Sequence, residues 1–165
     1  MKLNATRKGL ITGCLMIAVQ LILFYGFKRT DDNSWQFIVY FVYAIGLAWS
    51  MMSFAPLITA STKFSECFSN GFKTFVTITL LMVLYTLVFY WLHPEIRDAQ
   101  IEMNTRLILQ QPNQTHTLPE IEDNAKTMKS IFLPAKLAAA TFFYLFLGAV
   151  MTIVYSLILL QKKKR

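Results

Sequence analysis

The chain has 165 residues; 55% are hydrophobic and only 15% charged, yet its formal net charge is +7. In a soluble protein that charge would point to nucleic acid. Here the basic residues sit at the ends of long apolar runs with no nucleic-acid-binding motif beside them, so the sequence excludes a nucleic-acid partner and points to the lipid bilayer.

The chain opens "MKLNATRKGLITG", with basic residues ahead of an apolar run over residues 9–27. That run is longer than the ~7–15 residues of a cleaved signal core and no small-x-small cleavage site follows it, so it reads as an uncleaved first span. Gly9 and Gly13 lie one turn apart on one helix face, a small-xxx-small spacing that lets two helix backbones approach closely in lipid. A second span covers residues 35–60, with Gly46 set between Ala44 and Ala48. Near its end Pro56 lacks an N–H, which should free the Met52 carbonyl and bend the helix. Trp49, near the middle, reads as a packing residue. Of the two cysteines, Cys14 falls inside the first span and Cys67 in the connection after the second, with neither a disulfide framework nor a metal-ligand spacing.

That connection reads "STKFSECFSNGFKTF". Phe64, Phe68, Phe72 and Phe75 recur at steps of four, four and three, one face of a helix, while polar residues occupy the rest. The spacing predicts an amphipathic helix at the membrane interface, with Gly71 as a pivot into a third span over residues 74–92.

The third span ends in a cluster that invites a catalytic or metal reading: His93, Glu95, Asp98 and Glu102. Each acid, however, has a structural role. Pro94 suits a first helical turn, Glu95 and Asp98 complement the positive end of that helix, and Glu102 faces Arg106 at i, i+4. The Glu95 carboxylate is expected to point largely away from His93, two positions earlier. His116 would lie about 25 Å away, a hairpin's length along the chain. The sequence therefore predicts no catalytic, cofactor-binding or metal-binding residue. Instead residues 94–131 read as an outer helical hairpin with two apolar stripes, Ile96/Ala99/Met103/Leu107 and Ile121/Ala125/Met128/Phe132. Ile101 and Ile108 fall off the first stripe and are expected to stay exposed as a docking patch for a protein partner or a second copy.

A fourth span covers residues 137–160, with Pro134 expected to kink its start and the pair Gly148–Ala149 suited to close packing. A basic tail, residues 161–165, follows. With four crossings, nine basic residues at the helix ends share one side with the single acid Glu66, against seven basic residues dispersed among eight acids on the other. Short helix-proximal basic segments weigh most in setting orientation, so both termini are expected in the cytoplasm. No charged residue falls inside the spans as drawn. Residues such as Gln20, Ser50, Ser53, Thr77, Thr79 and Thr152 are expected to form interhelical hydrogen bonds rather than a proton or ion path.

The fold class is thus all-α: one integral membrane four-helix bundle over residues 1–165 with an extramembrane helical hairpin between its third and fourth spans. The order of "KGLITG", "FSECFSNGF", "HPE" and "FLGAV" resembles a bacterial family of four-helix membrane proteins, domain of unknown function 4199, over nearly the whole chain. The resemblance implies a bacterial inner membrane and supplies no catalytic residues. The expected function is that of a non-enzymatic accessory or scaffold subunit of an envelope complex, for instance one anchoring a polyprenyl-phosphate glycosyltransferase. The alternative is an oligomeric small transporter or channel.

Overall fold

The structure, a computed structural model, describes residues 3–27, 36–59, 61–109 and 118–164. Helix α1 spans Ala5–Phe27, α2 Gln36–Phe54, α3 Phe64–Leu92, α4 Pro94–Leu109 and α5 Leu118–Lys164, with a short 3-10 turn, Ala55–Leu57, after α2. There is no strand among the described residues. Four stretches, Ala5–Gly26, Gln36–Leu57, Phe64–Leu92 and Lys126–Lys162, are long and apolar enough to cross a membrane. In hydrocarbon a spanning segment must satisfy its own backbone hydrogen bonds, which is why uninterrupted apolar sequence becomes uninterrupted helix. The chain is a multi-pass membrane protein.

The boundaries correct several expectations. Helix α1 begins at Ala5, so Arg7 and Lys8 belong to its first turns rather than to a tail. Pro56 does not bend a span that continues to residue 60. It lies in the 3-10 turn, after which the chain is extended at Ile58. A proline fixed near the helical φ tolerates a tight turn but cannot extend the α-helical ladder, so α2 stops instead of kinking. Helix α3 runs without a break from Phe64 to Leu92, and Gly71 is no pivot. Helix α5 is likewise a single helix of 47 residues with Pro134 inside it. The lost hydrogen bond to the Ser130 carbonyl is outweighed by the helix on either side, a tolerance common in membrane helices.

The helices form two compact units, Met1–Val83 with Ala140–Arg165, and Leu84–Ala139. In the first, Met16, Tyr43, Leu47, Met51, Ile78 and Met82 are fully buried. Ile22, Phe41, Met52, Leu80, Phe142 and Phe146 of the same helices are exposed, an outward apolar surface that suits lipid. In the second unit Ile101 and Phe132 are buried. The Tyr90 ring meets Phe132 edge-on at 5.2 Å, and the Tyr90 hydroxyl donates to Gln100 Oε1 at 3.4 Å, fastening α4 to the last turn of α3.

Candidate functional site

Glycines close the seams of the first unit. A Cβ at Gly9 would lie 2.7 Å from the Thr74 carbonyl oxygen, and one at Gly13 would lie 2.6 Å from Leu81 Cδ1, so both glycines of the small-xxx-small pair face α3. Gly46 on α2 is crowded by the Thr12 side chain of α1, and Gly148 on α5 by the Tyr43 hydroxyl and the Phe75 ring. Each predicted packing glycine therefore sits at a helix contact. Gly71 is a fifth, pressed by Thr152 of α5, and this explains why it is buried rather than hinged.

The polar groups divide differently from the expectation. Ser50 Oγ and Thr74 Oγ1 are 2.7 Å apart between α2 and α3. The single Thr74 hydroxyl proton can go to the Ala5 carbonyl of α1 at 3.3 Å or to the Asn70 carbonyl at 3.1 Å while Ser50 donates to its oxygen, so one threonine is placed to tie three helices. Ser53, Thr77 and Thr79 instead donate to carbonyls four residues earlier on their own helices. Such back-bonding satisfies a hydroxyl in lipid without any neighbour, and sequence spacing does not distinguish it from a cross-helix bond. Gln20 Oε1, Thr152 Oγ1 and Ser156 Oγ are buried without a hydrogen-bond partner. The Tyr43 hydroxyl, absent from the sequence expectation, donates to the Tyr144 carbonyl at 2.9 Å.

The Phe64–Phe68–Phe72 stripe exists, with ring centroids 5.9 and 6.2 Å apart, and Phe72 meets Phe75 at 5.3 Å. It runs along the first turns of α3, with Phe64 and Phe72 exposed, Phe68 half-buried and Phe75 buried. One cation was missed. The Lys8 side chain is buried, and its ammonium lies 5.9 Å from the centre of the Trp49 ring. The signal was Trp49 itself, since an indole offers the strongest aromatic face for a cation.

At the joint between α3 and α4 the structure overturns a geometric expectation. His93 Nδ1 and Glu95 Oε1 are 2.8 Å apart. The side chains converge because His93 is the non-helical residue between α3 and α4, where helical directions do not hold. Its backbone spans the joint, accepting from the Ile96 N–H at 3.2 Å and donating to the Phe89 carbonyl at 2.9 Å. Glu95 is held below the ordinary carboxylate range first by its own backbone N–H and then by the His93 ring. Asp98 pairs with Arg97 at 3.1 Å, and Glu102 with Arg106 at 2.6 Å in the predicted i, i+4 order. Among the described residues no three His, Cys, Asp or Glu side chains gather in a way that could hold a metal. His116 lies outside the described residues.

The docking patch is corrected as well. Ile101 is 4% exposed and buried inside its unit, while Met103 and Leu107 of the expected inner stripe are 44% and 54% exposed. Met128 and Ile131 of α5 are exposed too. The face carrying Ile101 looks inward, beside the Tyr90–Phe132 ring contact and the 3.4 Å Tyr90–Gln100 contact, neither of which a count of apolar positions could register. The Ile108, Ile121 and Ala125 side chains lie outside the described residues.

A family model described as "Protein of unknown function (DUF4199)" matches residues 7–161, nearly the whole chain, and the chain belongs to that family. No curated protein and no solved structure matches it.

Proposed function

We propose that this four-span member of the family is a non-enzymatic accessory or scaffold subunit of a bacterial inner-membrane complex, with both termini in the cytoplasm. The observation that supports the reading most is the buried apolar core of the first unit. Tyr43, Leu47, Met51, Ile78 and Met82 are fully buried, and four seams are closed at glycines. A core of apolar side chains with close glycine contacts favours recognition at the outer faces. One such face belongs to the second unit, where Met103, Leu107, Met128 and Ile131 expose apolar surface on segments flanked by charged residues. The partner class is an envelope-building enzyme, for instance a polyprenyl-phosphate glycosyltransferase. A protein docking there would be held by methionines and isoleucine rather than by salt bridges, since methionine adapts to a varied partner surface.

Photo-cross-linkers placed in cells at Met103 and Met128 should capture one and the same partner protein, whereas one at the buried Phe132 should not. Proteoliposomes of the purified protein should show no ion or solute flux. Flux without cross-linked partners would reject the scaffold in favour of a transporter formed between copies. For orientation, alkaline phosphatase, which is active only outside the cytoplasm, should be inactive when fused after Lys164 and active when fused after Leu109.

A further inference from the structure

A cavity of about 450 Å³ opens at the end of the first unit where α1 starts, α2 stops and α3 starts, lined among others by Asn4, Phe54, Glu66, Ser69, Asn70 and Lys73. It is an open cleft rather than an enclosed pocket, so a ligand held there would keep one side outside the protein. The cavity carries one acid and one base, and both belong to α3. Seven residues separate them, two turns on one helix face and about 10.5 Å along the axis. Among the described residues no ion pair joins them, and both side chains are exposed with the half-buried Ser69 between them in sequence. Two opposite charges thus line one space without meeting.

We propose that this cavity binds the headgroup of a zwitterionic aminophospholipid, a phosphoethanolamine, from the adjoining leaflet. Lys73 and Ser69 take the phosphate, and Glu66 takes the ammonium. The polarity of the helix agrees with that assignment. Lys73 lies two turns further into the spanning helix than Glu66. In such a lipid the phosphate sits nearer the hydrocarbon and the ammonium can reach outward. Phe54 in the wall and the exposed Phe72 beside Lys73 offer apolar surface to the glycerol and the first methylenes. A purely anionic headgroup could give its phosphate to Lys73 but would bring no cation to neutralise Glu66. The site is a lipid contact on the bundle itself and does not depend on the proposed protein partner.

The test is native mass spectrometry of the full-length protein, released from detergent after exchange with phosphatidylethanolamine, phosphatidylcholine or phosphatidylglycerol. The wild type should retain phosphatidylethanolamine in preference to both others. Phosphatidylcholine keeps the phosphate but its methylated ammonium cannot donate hydrogen bonds to Glu66. Glu66→Gln should erase the preference over phosphatidylcholine, and Lys73→Gln should lower retention of phosphatidylethanolamine roughly threefold, the size of one lost surface ion contact. Equal or stronger retention of phosphatidylglycerol or phosphatidylcholine by the wild type would overturn the proposal, a comparison that requires no variant to fold. Unchanged lipid preference in both substituted proteins would overturn it too.

Discussion

Gly9→Ala isolates the close helix approach that the first unit relies on. The added methyl would lie 2.7 Å from the Thr74 carbonyl oxygen and 3.0 Å from Thr77 Cβ. A backbone carbonyl inside α3 cannot move aside as the tip of a side chain can, so α1 must shift along the seam. The shift would also stretch the bond from Thr74 to the Ala5 carbonyl, one turn away. Overfilling a packed contact costs about 1–3 kcal/mol. Alanine regains about 0.5–1 kcal/mol over glycine from helix propensity. The overpacking wins, for a net loss of about 1–2 kcal/mol. Gly26 on the same helix supplies the matched control, because a Cβ there meets nothing within 4 Å. Gly26→Ala should therefore keep the propensity gain of about 0.5–1 kcal/mol without the clash. Reversible unfolding in mixed micelles, followed by circular dichroism, should separate the two variants by about 2 kcal/mol, roughly a thirtyfold difference in unfolding equilibrium. A Gly9→Ala protein as stable as Gly26→Ala would refute the idea that backbone contact at this seam organises the bundle.

The hydroxyls offer a second contrast. Thr74→Val loses bonds to Ser50 and Ala5 and should destabilise by about 1–2 kcal/mol. Thr152→Val removes a buried hydroxyl without a partner and should be neutral or stabilising in the same unfolding assay. The Glu95 carboxyl, lowered by its backbone N–H and by His93, contributes its full stabilisation at pH values above the ordinary carboxylate range. The contribution is lost as pH falls through the lower folded value. Carbon NMR titration should place its midpoint below that of an unperturbed glutamate, and His93→Ala should raise that midpoint part of the way, because the backbone bond remains. Ile101→Ser should loosen the second unit by about 2–4 kcal/mol, read as faster amide exchange along α4, because it exposes a polar group in a buried position.

What could be read from the sequence follows from which interactions are local. The four spans were legible because a bilayer demands long apolar helices wherever the chain crosses it, and composition alone reports that demand. Gly9 and Gly13 were legible as a close-packing face because their spacing is a property of one helix. Their partner, the Thr74 carbonyl, was not, since nothing along α1 names the residue across the seam. The same limit explains the errors. Helical direction rules separated His93 from Glu95, and they failed because the chain leaves the helix at that one residue. A count of apolar positions made Met103 and Leu107 the inner face of α4. The structure turns Ile101 inward instead, with Tyr90 in contact with the neighbouring Gln100 and edge-on to Phe132. On a helix as polar as α4 neither face carries much more apolar area than the other, so its orientation depends on which neighbours it meets, and those are not written in its own periodicity. Among the described residues of α4 the exposed large apolar side chains are therefore Met103 and Leu107, and a partner that docks on this helix would meet them rather than Ile101.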